Sequence, residues 1–300
     1  MKRFLTKILI FSVCLLIILG ITEYLLRIIP NDYSYKNSYY KENAKEIRIW
    51  NLGSSHAYFG IDPIHFKSTA FNGAHVSQSI KFDYYIFNKY INQMDSLKVL
   101  ILPISYFTLF SNLEDGVEKW RVVNYTSYGI YINNLRTSAR LLSDNKPFNR
   151  AIKSLLGKQN EKYCTELGMG TQYSYENRST NLAATAEAAV KRHTKNIVNK
   201  EILFANNNYL EEICETCYNK NIKVIILTTP THFSYYSKLD KKQLEITTEI
   251  CNKLDEKYSN ITYLNWLENN NFIDEDFYDA DHLNNKGAIK LTQLLNDYIE

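Results

Sequence analysis

The chain has 300 residues, and 35 Lys and Arg against 32 Asp and Glu leave a formal net charge of +3. That balance excludes a dedicated nucleic-acid binder, which carries a clustered basic excess. A hydrophobic fraction of 45% with 14% aromatic residues excludes wholesale disorder, and five Cys with ten Gly exclude a disulfide-stapled miniprotein or a collagen-like chain.

The amino terminus reads MKRFLTKILIFSVCLLIILGITEYLLRIIP. Its uncharged stretch, Ile8–Thr22, has the length of a signal-peptide core and falls a little short of the ~20 residues that span a bilayer. Phe4 and Leu5 before it, and Tyr24–Leu26 with Ile28 and Ile29 after it, extend the apolar helix. Lys7 can snorkel and Glu23 can sit among the headgroups. No small-x-small cleavage site follows, and Cys14 lacks the small preceding residue of a lipobox. Residues 4–29 are therefore read as an uncleaved single-pass anchor, in preference to a cleaved signal or a buried helix. Lys2, Arg3 and Lys7 place the amino end in the cytoplasm. The rest of the chain is expected outside the cytoplasmic membrane, in a periplasm or at the cell surface. This is the one segment apolar enough for a membrane, which excludes a multi-span transporter.

Residues 30–45 are polar without an apolar period and read as a tether. Ile47–Leu52, Ala70–Asn72, Lys98–Leu102, Ile222–Thr229 and Ile261–Leu264 read as strands. Ser77–Met94, Ala205–Asn219, Lys241–Tyr258 and Lys286–Ile299 read as helices between and after them. Short apolar strands alternating with helices predict an α/β domain over 46–300, built on a parallel sheet covered on both faces. The segment 105–200 is too long for a plain crossover. It reads as an inserted, mainly helical cap between the third and fourth strands, with a helix over Leu182–Asn199.

Ligands of an open parallel sheet bind beyond the carboxyl ends of its strands. The residues there are Gly53-Ser54-Ser55-His56, Gly73-Ala74-His75-Val76-Ser77, Pro103-Ile104-Ser105 and Pro230-Thr231-His232, with Asp279-Ala280-Asp281-His282 before the last helix. A serine on a sharp turn and an Asp-x-x-His pair supply a nucleophile, a base and an orienter. One helical turn lets the carboxylate hold one imidazole nitrogen and leave the other for the serine, which needs that base to become nucleophilic. Ser54 is the alternative nucleophile, and Asp281 competes with Asp279 as orienter. The bland reading is a turn serine at one helix start and an Asp cap at another.

At these residues the chain resembles the SGNH/GDSL hydrolase superfamily. NLGSSHAYFGIDP (Asn51–Pro63) is similar to its first block, with Gly53-Ser54-Ser55 in place of Gly-Asp-Ser. DADHLNNKGA (Asp279–Ala288) is similar to its last block. The resemblance covers 46–105 and 222–300 and leaves the insertion unexplained. It implies a flavodoxin-like three-layer α/β/α sandwich, with Ser55 as nucleophile, His282 as base and Asp279 as orienter. The family's oxyanion-hole glycine falls within Asn72–Ser77, where Ala74 and Ser77 are the candidates. Its Gly-x-Asn block is Pro103-Ile104-Ser105 here, so Ser105 stands where an Asn would donate. Loss of one such donor costs about 10²–10³ in rate. The Ser-Ser pair, these departures and the anchor resemble a membrane-bound subgroup of the alginate O-acetyltransferase and teichoic-acid D-alanyl-transfer type.

His56 is read either as a substrate contact or as loop packing, and His232 and His75 as residues that could line the site. His193, in Lys191-Arg192-His193, reads as part of a solvated helix face. No His pair has metal-ligand spacing, so no metal and no cofactor is expected. Cys214-Glu-Thr-Cys217 lies inside a helical stretch, and Cys164, Cys214, Cys217 and Cys251 read as buried small residues or one structural disulfide. The expected activity is that of a serine esterase or O-acyltransferase on an acylated envelope glycan or a small ester, with a membrane acyl-donor protein as a partner. The rival reading is a non-catalytic assembly or glycan-binding protein on the same fold.

Overall fold

The computed structural model describes residues 1–132, 139–142, 148–149, 152–154, 156–157, 163–195 and 200–299. Short, mostly apolar runs form strands β1 (Ile49–Asn51), β2 (Ala70–Asn72), β3 (Val99–Pro103), β4 (Lys223–Thr228) and β5 (Ile261–Asn265). β1, β2 and β3 are buried along their whole length. All neighbours run parallel in the order β2-β1-β3-β4-β5. Trp50 on β1 sits level with Phe71 and Leu100 on its two neighbours, and Ile101 is level with Ile225. The fold is α/β with the flavodoxin-like strand order, whose switch point lies between β1 and β3.

The described helices are α1 (Lys2–Arg27), α2 (Asp32–Asn43), α3 (Ser55–Gly60), α4 (Ile80–Tyr90), α5 (Leu182–His193), α6 (Lys200–Asn219), α7 (Phe233–Tyr236), α8 (Lys241–Lys257) and α9 (Asn285–Ile299). Helices cover both faces of the sheet: α4, α6 and α8 pack as one set, α3 and α9 as the other. Side-chain caps set several starts. Asp240 accepts the Gln243 N–H ahead of α8 (2.8 Å), and Asn181 accepts the Ala184 N–H ahead of α5 (3.1 Å).

The chain divides into two compact units. One comprises 1–37 and 117–163. In it α1 is long and apolar enough to cross a membrane. Leu26 and Ile29 are buried, with the partly buried Leu141, Phe148 and Ile152 packed against them. Glu23 accepts the backbone N–H groups of Arg140 (3.0 Å) and Leu141 (2.9 Å) and pairs with Arg27 at 2.6 Å. The other unit comprises 38–116 and 164–300 and contains the sheet.

Two expectations are corrected. The tether of 30–45 is largely the helix α2, entered through Asn31, whose Oδ1 accepts the N–H groups of Tyr33 and Ser34. Its helical signal is carried by tyrosines, which score as polar but bury their rings. Tyr40 lies fully buried, receives the Trp50 indole N–H at 2.9 Å and stacks on Tyr90. The insertion of 105–200 is divided between the two units. Its described residues hold α5 and several 3₁₀ segments, among them Thr108–Phe110 and Lys119–Tyr128. The helix expected over Leu182–Asn199 ends at His193, and residues 196–199 lie outside the described ones.

Cys164, Cys214, Cys217 and Cys251 are buried, and the last three are free thiols. Burial pushes the Cys214 thiol up to about 12 and raises Cys217 and Cys251 as well. A redox pair needs a depressed thiol, so this geometry opposes one.

Candidate active site

β1 ends into a turn whose Gly53 has φ +115°, a conformation open to glycine and strained for any other residue. The Gly53 N–H donates to Asp83 Oδ1 at 2.7 Å, and the turn delivers Ser55 as the first residue of α3. Ser55 Oγ lies 2.9 Å from His282 Nε2, and His282 Nδ1 lies 2.9 Å from Asp279 Oδ1. The same Asp279 oxygen accepts the backbone N–H groups of His282 (2.9 Å) and Asp281 (3.1 Å), so it closes the turn that carries the imidazole. Asn284 fixes that turn to α9. Its Nδ2 donates to the Glu275 (2.7 Å) and Phe277 (3.1 Å) carbonyls, and its Oδ1 accepts the Lys286 and Gly287 N–H groups. With Nδ1–H held by Asp279, Nε2 is the nitrogen that accepts from the serine hydroxyl. Ser54, the alternative nucleophile, is buried, and its hydroxyl has no hydrogen bond among the described residues.

Asp281, the competing orienter, turns inward and is buried. Its Oδ2 lies 3.4 Å from His282 Nδ1, 3.5 Å from His56 Nε2, 3.7 Å from His193 Nδ1 and 3.4 Å from the Arg192 guanidinium. His193 is therefore not on a solvated face. It is buried, bonded to the Tyr235 hydroxyl at 2.8 Å, and its ring lies 4.1 Å from that of Phe107 at a tilt of 31°. A histidine at the end of an amphipathic helix carries no local mark of this, because its partners come from α7 and the Asp281 loop.

Burial disfavours the charged form of His282, but the Asp281 and Asp279 carboxylates outweigh it and bring the imidazole up to about 8. Burial lowers His56 and His193, so both rings are neutral near pH 7. Burial would raise Asp281, yet the surrounding imidazoles, His282 foremost, hold it well below the ordinary carboxylate range.

The remaining candidates fall into different places. The Ala74 N–H is taken by Asn72 Oδ1 (3.0 Å), so it is not an open oxyanion donor. Asn72 itself is a buried tie whose Nδ2 reaches the carbonyls of Ala57 and Ile61, both at 2.9 Å. Ser77 takes a left-handed φ of +59°, and neither its N–H nor that of Val76 or Ser55 has a hydrogen bond among the described residues. This segment lies beside the Gly53–Ser55 turn, joined to it by the His75 N–H on the Gly53 carbonyl at 3.2 Å. Ser105 is buried and bonded to His56 Nδ1 at 2.7 Å, a contact that does not leave it as the replacement for an oxyanion Asn. His56 is loop packing in the sense that its ring is buried, but its Nε2 is aimed at Asp281. His232 caps α7, bonded to Ser234, and pairs with the exposed Asp274 at 3.2 Å. Its backbone N–H donates to the Ala280 carbonyl at 2.9 Å, next to Asp279, while its ring faces Asp274 and Phe277. Tyr173 stacks between Phe59 (3.7 Å) and Tyr278 (3.8 Å) and stands 5.2 Å from the His282 ring, forming an aromatic wall.

Ligand atoms of His56, Asp281 and His282 lie within 4.8 Å of one another. A cation there would meet the Arg192 guanidinium on the same carboxylate and would compete with Asp279 for His282 Nδ1.

Asp83 had no motif to announce it. Burial pushes its carboxyl up to about 7, partly opposed by hydrogen bonds from Gln78 and the Gly53 N–H. An acid whose folded pKa exceeds its unfolded value takes up a proton on folding, so stability declines as pH rises from about 4 to about 7. The expected contribution is on the order of 4 kcal/mol from this one group. Urea unfolding from pH 4 to 8 should show wild-type stability falling relative to Asp83→Asn across that window. Parallel curves would refute the assignment.

No family model and no curated protein matches the chain. Solved structures do show similarity. A GDSL-like lipase of Bacteroides thetaiotaomicron aligns at 13% identity and TM-score 0.42, over 90% of this chain and 98% of that one. A candidate acylhydrolase of Bacteroides fragilis aligns at 12% and 0.41, over 87% and 93%. A candidate platelet activating factor of Streptococcus pneumonia aligns at 11% and 0.44, over 88% and 91%. At that distance the chemistry rests on the geometry of the site itself: a serine hydroxyl, an imidazole and a carboxylate in one hydrogen-bonded line.

Proposed function

We propose that the chain is a membrane-anchored serine esterase or O-acyltransferase of SGNH type, acting outside the cytoplasm on acyl esters of an envelope glycan or similar polymer. The observation that carries this is the unbroken line Ser55 Oγ–His282 Nε2 and His282 Nδ1–Asp279 Oδ1, 2.9 Å at each step. Ser55 Oγ attacks the ester carbonyl as its proton passes to His282 Nε2. The tetrahedral oxyanion is held by the Ser55 N–H and by those of the Val76–Ser77 turn. Collapse expels the alcohol with the proton from His282, leaving an acyl-Ser55. Water or a sugar hydroxyl then attacks the acyl carbonyl as its proton passes to His282, and collapse breaks the acyl–Ser55 bond as His282 Nε2 returns that proton to Ser55 Oγ. A membrane acyl-donor protein would supply the transferase, and no step calls for a cofactor. The positive charges of Lys2, Arg3 and Lys7 ahead of α1 support an amino end in the cytoplasm.

A second reading, a binding protein on the same fold, is favoured by one observation: the Ala74 N–H and the Ser105 hydroxyl are both engaged inside the protein. A fluorophosphonate probe separates the two, since it reacts only with an activated serine. Stoichiometric labelling at Ser55, absent from Ser55→Ala, supports the enzyme. No labelling between pH 6 and 10 supports the binding protein. The base must be neutral to accept a proton, so labelling should rise with pH through about 8 and then level off.

A further inference from the structure

The line from Ser55 to Asp279 leaves a second buried acid at the same imidazole without a role. Asp281 has a side chain 1% exposed, against 20% for Asp279. Its Oδ2 sits amid nitrogens of His282, His56, His193 and Arg192 at 3.4–3.7 Å, each longer than the ~2.7–2.9 Å of a charge-assisted hydrogen bond. Of the two carboxylates, Asp279 is the one with a bond of that length to His282, at 2.9 Å against 3.4 Å for Asp281. The rings around Asp281 are themselves fixed from behind. Ser105 Oγ holds His56 Nδ1 at 2.7 Å, with Thr229 Oγ1 at 3.4 Å, which leaves Nε2 facing the carboxylate. Tyr235 holds His193 Nδ1 at 2.8 Å, and the Arg192 Nε–H donates to its Nε2 at 3.1 Å.

We infer that Asp281 is a positioning residue that sets the charge state of His282, while Asp279 fixes the ring's tautomer and direction. This rests on the reading of His282 as the base. The groups facing His282 are few: the carboxylates Asp279 and Asp281, the Arg192 guanidinium, the neutral rings of His56 and His193, Tyr173, and the Ser55 hydroxyl. His56 and His193 supply dipoles, and Arg192 supplies one full charge against two carboxylates. The cluster is therefore balanced only when His282 carries a proton. That is the state the imidazole enters as it takes the proton of Ser55. A carboxylate 20% exposed is screened by water, whereas one buried on all sides is not, so Asp281 is the stronger source of field at the ring. His56, next to the nucleophile in sequence, and Ser105, beyond β3, thereby act at one remove from the reaction rather than on substrate.

The test follows the rate of fluorophosphonate labelling against pH in the full chain in detergent, for wild type, Asp281→Asn, Asp279→Asn and Arg192→Gln. Asp281→Asn should move the acid limb down by one pH unit or more while the plateau stays within about tenfold of wild type. Asp279→Asn should lower the plateau by about 10³-fold or more at every pH. Arg192→Gln removes a half-exposed opposing cation and should move the limb up, which covers the case in which Asp281→Asn does not fold. An unmoved limb in Asp281→Asn, a plateau that collapses as in Asp279→Asn, or an unmoved limb in Arg192→Gln would overturn the inference. A wild type unlabelled at any pH would instead sink the reading of Ser55 and His282 as catalytic. In that case ¹⁵N-histidine titration of His282 in wild type and Asp281→Asn still decides whether Asp281 controls its charge.

Discussion

Ser55→Ala and His282→Gln are each expected to lower ester turnover by about 10⁴- to 10⁶-fold, and the double variant should be no worse than either single one. On the proposed mechanism Ser55 and His282 act as one unit. The hydroxyl is not nucleophilic near neutral pH without a base, and the base has no covalent task without the hydroxyl. Their separation of 2.9 Å is already that of proton transfer, so no closure has to assemble them. Hydrolysis of p-nitrophenyl acetate by the purified protein, followed at pH 9 where His282 is neutral, is the measurement. Additive losses in the double variant would mean that the two residues serve separate steps and that the hydrogen-bonded line is not the engine. The residual rate of either variant reports the oxyanion donors and substrate binding alone.

Asp279→Asn should lower kcat by about 10³- to 10⁴-fold with a smaller change in KM. Asp279 Oδ1 holds three N–H groups: the His282 ring Nδ1–H and the backbone N–H groups of His282 and Asp281. An amide that keeps the two backbone bonds through its oxygen preserves the turn. It offers no negative charge to the imidazolium and can turn its NH₂ toward Nδ1, which favours the tautomer with the proton on Nε2. That proton would then point at Ser55 and the base would be lost. The check is a kcat and KM series for Asp279→Asn beside Asp279→Ala, with circular dichroism to confirm that the turn and α9 survive. A kcat within tenfold of wild type would remove Asp279 from the orienting role and leave Asp281 in its place.

Much of the framework was legible because it is local. The runs KVLIL and KVIILT carry their strand character in five or six residues, and each was found within a residue or two of β3 and β4. Gly53 marks a turn that needs positive φ, and Asp279-x-x-His282 places two side chains on one turn. Helix α2 was not legible, since Tyr33 and Tyr40 count as polar until their rings find Tyr125 and Trp50. Asp83 and Asn72 were missed for a related reason. A lone acid in a helix or an Asn at a strand end is ordinary until its partners, the Gly53 N–H and the carbonyls beyond Ser55, are known.

Residue order alone established the strand–helix alternation, the apolar first helix, the serine turn and the Asp-His pair, because each is a pattern of neighbours governed by backbone sterics and hydrophobic period. Only the folded chain brought Ser55 to His282 across 227 positions and gathered His56, His193 and Arg192 around Asp281. Those contacts join α3, α5 and the loop ahead of α9. Nothing in a short window can report a charge that arrives from another element.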